Sequence, residues 1–234
     1  MIVPVAASAA ASAGPVPHIL IVCTGNICRS PLAEQVLRAK LLAAGARVTV
    51  SSAGTRAVVG GAMTPEATAL AVQLGSDVTD HTPRQLTANM LAEADLVLTA
   101  TRDHRRDVVT LFPKVTRYTF TLNQFARLVA AAASADAPAG PATSGGPASP
   151  ATSAGPGSPA DPDPAPQPAA SAFAAFVASI AATRGLQPSP TPPTRDDIDD
   201  PYRQNASVYS RVAAVIDDSV TTIAAAIVTA LAAR

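Results

Sequence analysis

The stretch Cys23-Thr-Gly-Asn-Ile-Cys-Arg-Ser-Pro31 constrains this chain more than any other. An apolar run, His18 to Val22, ends at it, and a helical pattern begins after it at Leu32. A strand, a tight loop bearing a glycine and a helix N-terminus make a ready anion site: successive backbone N–H groups turn inward and the helix dipole adds positive potential. This loop also carries a thiol at its first position and a guanidinium six residues on. Thiols in such a field ionise more readily and attack as thiolates. Arginine offers a planar fork of donors matched to phosphate oxygens. Cys-x5-Arg followed by Ser-Pro therefore describes a loop that holds a phosphate and attacks its phosphorus.

Other readings of the loop fail on its residues. It lacks the Gly-Lys-Ser/Thr ending of a nucleotide P-loop, and its single glycine, Gly25, is too few for a dinucleotide fingerprint. A zinc site needs four ligands, whereas the chain has two cysteines and three histidines, none at ligand spacing. An inert buried cysteine pair would leave Arg29, Ser30 and Pro31 without a reason. No metal and no cofactor is expected.

The 234 residues can hold one domain or two small ones. Formal net charge is zero, so nothing points to nucleic acid or to an anionic membrane surface. Two cysteines five residues apart are no disulfide framework and suit a reducing, cytoplasmic setting. The 48% hydrophobic content overstates the core, because aromatics make up only 3% and much of the rest is alanine in low-complexity sequence. The Ala/Ser-rich run 1–17 lacks the charged start and the Leu-rich centre of a signal peptide and reads as a disordered tail. The C-terminal apolar stretch Val220 to Ala233 is too short to span a bilayer.

Along the chain, Leu32, Val36, Leu37 and Leu41 form one helical stripe ended by Gly45, and Arg47 to Ser51 follows as a strand. Strand, loop, helix, strand is a βαβ unit with a parallel pair and a right-handed crossover. Thr64 caps a second helix to Leu74, and a short helix spans Ala88 to Ala94. Leu96 to Thr99 and Val115 to Phe120 read as strands, with helices at Arg102 to Leu111 and Leu122 to Ala132. Residues 134–194, rich in Ala, Pro, Gly and Ser, read as an insertion in a single domain spanning 18–234, a flexible spacer in which Phe173 to Ile180 restores a helix that packs Phe173, Phe176, Val177 and Ile180. The final helix, from about Ala206, aligns Val208, Val212, Val215, Val220, Ile223, Ile227 and Leu231.

Expulsion of an alkoxide or phenoxide from phosphorus benefits from a general acid. The acid-rich loop Asp196-Asp-Ile-Asp-Asp-Pro-Tyr202 offers one, and Asp200 is the favoured residue, stiffened by Pro201 and flanked by Tyr202. Asp196 and Asp197 read as solvated charges.

Taken together, the loop and the Asp-Pro-Tyr resemble the low-molecular-weight protein tyrosine phosphatase family over His18 to Phe125 and from Asp196 on. The resemblance implies an α/β fold, three-layer αβα with a four-stranded parallel sheet, and phosphotyrosine-containing proteins as substrates. It implies Cys23 as nucleophile, Arg29 as phosphate clamp and Asp200 as acid and then base, with Thr24, Gly25, Asn26, Ile27, Cys28 and Ser30 lining the loop. Ser30 would donate to the thiolate, Ser52 and His81 would brace Asn26, Cys28 would cap an oxidised Cys23, and Tyr202 would wall the substrate. Related arginine phosphatases resemble Cys-Thr-Gly-Asn-Thr-Cys with Phe after Asp-Pro. Thr24 agrees with them, whereas Ile27 and Tyr202 favour phosphotyrosine. A weakly active phosphotyrosine-binding module is the reading from another class. Three features depart from the family: Ala100-Thr101 stand where it often has Met-Asp, Arg56 to Gly60 supplies no aromatic wall, and Arg203 replaces a second aromatic.

Overall fold

The structure is a computed structural model describing residues 16–77, 81–135 and 169–233. The expected tail 1–17 lies almost wholly outside the described residues, as do residues 136–168 of the expected spacer.

Four parallel strands form the sheet: β1 (His18–Cys23), β2 (Thr49–Gly54), β3 (Leu96–Thr99) and β4 (Thr119–Thr121), in the order β2-β1-β3-β4. Central strand β1 is apolar along its length because both of its faces are covered. Ile19 and Ile21 enter one core and Leu20 and Val22 the other. Strand β3 divides in the same way, Leu96 and Leu98 against Val97. The first core packs helices α1 (Arg29–Ala43), α2 (Pro65–Gln73), α5 (Leu122–Ala135), α6 (Ala169–Ala182) and α7 (Ala206–Ala232). The second holds α3 (Ala88–Glu93) and α4 (Arg102–Leu111). This is the expected three-layer arrangement. Because β1 connects to β2 on one side and pairs with β3 on the other, the loops leaving the ends of β1 and β3 lie together at a switch point, where open α/β sheets bind ligands.

The expected stripe on α1 is buried in full, and Thr64 caps α2 by accepting from the Ala67 amide. Three expectations change. Strand β2 starts later than read and runs on through Ser52 and Ala53 to Gly54. The fourth strand is shorter, because Pro113–Tyr118 turns as a 3₁₀ helix in which the Thr116 and Thr119 hydroxyls donate back to the carbonyls of Pro113 and Val115. On α7, Val215 faces outward and Ile216 takes its place in the core, since buried positions follow the 3.6-residue turn. The helix expected at Phe173 to Ile180 is present and longer, as α6 (Ala169–Ala182). Helix α6 buries Phe173, Val177 and Ile180, and Phe176 meets Phe125 edge-on with ring centroids 6.1 Å apart. Among the described residues α7 alone is long and apolar enough to cross a membrane, yet Val212, Ile216, Val220, Ile223 and Ile227 are spent on the core.

Candidate active site

Strand β1 delivers Cys23 to the start of the loop, and α1 begins at Arg29, so the thiol and the guanidinium bracket one tight turn. Asn26 sits at its centre with φ 57°, a left-handed conformation that asparagine tolerates better than most residues. The loop's carbonyls bond outward: those of Cys23, Thr24, Gly25 and Ile27 accept from the amides of Thr55, Arg56, Val58 and Thr64. That leaves the concave side to N–H groups. A Cβ on Gly54 would meet the Thr24 carbonyl at 2.4 Å, so only glycine lets β2 approach the loop this closely.

The side-chain network beneath the loop has a fixed direction. The buried Glu34 carboxylate, held by Arg38, accepts from the Ser52 hydroxyl. Ser52 Oγ therefore accepts from Asn26 Nδ2 at 2.8 Å, and the other Nδ2 proton goes to Ser30 Oγ at 2.9 Å. Ser30 is left to donate its own proton to Cys23 Sγ, 3.0 Å away. Asn26 is finished by the Arg84 amide on its Oδ1, at 2.9 Å, and by His81 Nε2 on its carbonyl, at 2.7 Å. The sequence-based set of Asn26, Ser30, Ser52 and His81 is thus brought together. Glu34 and Arg84 were missed, although Glu34 lies one helical turn after Ser30 on the buried face of α1.

Arg29 is buried. Its Nη1 donates to the Ile198 carbonyl at 3.1 Å, its Nη2 pairs with Asp200 Oδ2 at 2.9 Å, and its Nε has no partner among the described residues. The Cys23 loop, Arg29 and the segment 196–202 are therefore brought together. The Asp200 carboxylate is about half exposed, Pro201 behind it is buried, and Tyr202 is exposed with the Arg203 guanidinium 5.2 Å from its ring centroid. Ile27 and Val58 flank Gly25, so an aliphatic side chain stands where no aromatic wall was found. Cys28 is a free buried thiol, 3.5 Å from both Thr64 Oγ1 and Tyr209 Oη, and burial pushes its pKa up.

Two acids read as solvated are not. Asp196 is 7% exposed and pairs with Arg127, and Asp197 pairs with Arg102, both at 2.9 Å. No local pattern announces such long-range partners.

His104 was also missed. Its ring bridges Thr24 of the loop, at 2.8 Å, and Thr101, at 2.7 Å, and Thr101 in turn caps α4. Burial, with the nearby Arg29 charge, lowers its pKa from 6.5 to about 4. The neutral ring is the native form, so the unfolded chain binds the proton first as pH falls. Stability from this group is complete above 6.5 and is lost towards pH 4. Urea titrations between these limits should show that decline, and His104→Gln should flatten it; an unchanged slope would remove His104 as its source.

The sequence model described as low molecular weight phosphotyrosine protein phosphatase matches residues 18–139. The chain belongs to this family. It is 40% identical over 97 residues to the probable low molecular weight protein-tyrosine-phosphatase AmsI of Erwinia amylovora, covering 42% of this chain and 65% of that protein. It is 35% identical over 107 residues to the protein-arginine-phosphatase of Bacillus subtilis (strain 168), covering 46% of this chain and 71% of that one. The crystal structure of the Erwinia amylovora tyrosine phosphatase superposes with a TM-score of 0.55 at 22% identity, over 89% of this chain and 91% of that one. This low-molecular-weight phosphatase thus shares its fold with that structure over more of the chain than the sequence match covers.

Proposed function

We infer that this chain is a protein tyrosine phosphatase acting through a cysteinyl-phosphate. The observation that carries the reading is the Arg29–Asp200 pair at the mouth of the Cys23 loop, where clamp and proton donor meet. Cys23 Sγ attacks phosphorus in line, and the non-bridging oxygens are held by the loop N–H groups and by Arg29 turning from Asp200 to the phosphate. Asp200 gives its proton to the departing phenolic oxygen as the P–O bond breaks. Asp200 then takes a proton from water, whose oxygen attacks the phosphocysteine and releases phosphate and the Cys23 thiolate. The Ser30 hydroxyl donates to that thiolate before attack and on release.

The family makes phosphoproteins the substrates, and the side chains around the loop favour phosphotyrosine among them. Ile27 is apolar where a guanidinium would need a partner, and the exposed Tyr202 ring can flank an aryl group. Arg203 beside it favours acidic residues near the phosphotyrosine. Thr24 and the Bacillus subtilis relative support the second reading, a protein arginine phosphatase. Phosphate release from phosphotyrosine, phosphoserine and phosphoarginine peptides tests both. Phosphotyrosine should lead by about tenfold or more, and Ile27→Thr should narrow that gap; a wild-type preference for phosphoarginine would reverse the assignment. Two free thiols suit a reducing compartment such as the cytoplasm.

A further inference from the structure

Asp200 is carried by a segment in which four successive residues are each fastened to another part of the fold. The Arg195 carbonyl accepts from Asn123 of α5, whose own Oδ1 accepts from Ser219 of α7. The Asp196 carboxylate takes Arg127 Nη2 at 2.9 Å and Nε at 3.4 Å. The Asp197 carboxylate takes the Arg102 backbone amide at 2.8 Å, at the first turn of α4, together with Nε at 3.2 Å and Nη2 at 2.9 Å. Ile198 buries its side chain, donates its amide to the Ala100 carbonyl at 2.8 Å and gives its own carbonyl to Arg29. Beyond Ile198, Asp199 and Asp200 are exposed.

This arrangement separates two tasks. The phosphate loop is braced by Asn26, Ser52, His81 and Glu34, none of which touches residues 195–198. The acid segment is braced by Arg102 and Arg127, neither of which touches the phosphate loop. The two meet directly where Arg29 takes the Ile198 carbonyl, and again at the junction after β3, where the Ala100 carbonyl and Arg102 hold the acid segment while His104 holds Thr24. Arg102 is nearly half exposed, and ion pairs that exposed add little to folding stability. Yet this guanidinium grips Asp197 through two of its nitrogens while its backbone amide binds the same carboxylate, which fixes direction as well as proximity. A general acid must come within hydrogen-bond reach of the oxygen it protonates, and misplacement by an ångström is costly.

We propose that Arg102 and Arg127 are positioning residues for the proton donor: through Asp197 and Asp196 they fix the segment from which Asp200 reaches the leaving-group oxygen. The proposal rests on the reading of Asp200 as general acid. It predicts a loss that scales with the need for a proton. Phenyl phosphate expels a basic oxygen and needs the acid, whereas 2,4-dinitrophenyl phosphate expels a weakly basic one and does not.

The test compares kcat/KM on these two substrates for wild type, Arg102→Ala, Arg127→Ala, Arg102→Lys, Asp197→Asn and Asp200→Asn. The two alanine variants and Asp197→Asn should lose about tenfold on phenyl phosphate and less than about twofold on 2,4-dinitrophenyl phosphate. Inhibition by inorganic phosphate should be unchanged, and Arg102→Lys should recover part of the loss. Equal losses on both substrates, or none on either, would overturn the proposal. Asp197→Asn keeps the side-chain shape and serves if an arginine variant fails to fold. Asp200→Asn separates the two claims. If its loss depends on the leaving group while those of the arginine variants do not, positioning fails and the assignment of Asp200 stands. If the Asp200→Asn loss is itself the same on both substrates, the assignment fails and the proposal with it.

Discussion

Replacing Cys23 with serine is expected to lower phosphate release from an aryl phosphate by on the order of 10⁴-fold or more, to background. The hydroxyl is not ionised near neutral pH, and nothing beside it can act as its base: the nearest side chain, Ser30 Oγ at 3.0 Å, is committed as a donor by the chain of bonds running back to Glu34. The cradle itself does not depend on sulfur. Its carbonyls are tied to residues 55–64, and Arg29 is held by Ile198 and Asp200. Calorimetric titration with inorganic phosphate should therefore show binding of the Cys23→Ser protein close to wild type. Phosphate release at the wild-type rate would end the cysteinyl-phosphate mechanism, whereas loss of binding would mean that the substitution had collapsed the loop.

Asn26→Ala should cost about 4 kcal/mol of folding stability, from two causes. An alanine at φ 57° is strained by about 1 kcal/mol. Losing the side chain also leaves the Arg84 amide without an acceptor and the Ser30 and Ser52 hydroxyls without their donor, at about 1 kcal/mol for each buried bond. Catalysis should suffer too. With Nδ2 gone, Ser30 is free to donate elsewhere and the loop loses its shape, so kcat/KM should fall by about 10²-fold. Urea unfolding and steady-state kinetics on one preparation check both effects. A variant with wild-type stability and turnover would show that the network merely accompanies the loop.

The cradle was legible because each residue in it answers a chemical demand that can be named from the residue type. A thiol, a guanidinium six positions on and a helix start leave little else to propose. The bracing set came from resemblance, and the structure adds why it works: Glu34 orients the whole series of hydrogen bonds. What could not be read depends on partners far away in sequence. Asp196 and Asp197 look solvated until Arg127 and Arg102 arrive from α5 and α4. Val115 to Phe120 has the β-branched look of a strand, but two threonine hydroxyls bonding back to carbonyls coil its first part. Val215 against Ile216 is a question of helical phase that period counting along α7 resolves only to within a residue. The packing of α6 was legible from the spacing of Phe173, Phe176, Val177 and Ile180, but its bounds, Ala169–Ala182, were hidden by the alanine-rich residues around them.

The division of the chemistry along the chain bears on how competence is acquired. Cys23 and Arg29 belong to a local unit, β1-α1-β2, while Asp200 lies about 170 residues further on and meets Arg29 through a long-range contact. Until that contact forms, Arg29 lacks the Ile198 carbonyl and the Asp200 carboxylate that satisfy it in its buried position. Closing so long a loop is entropically slow, and it is also what supplies the partners of Arg29. A partly unfolded chain therefore keeps Cys23 and Arg29 close in sequence but leaves Arg29 without the Ile198 carbonyl and the Asp200 carboxylate. On the proposed mechanism, activity then requires this long-range contact to have formed.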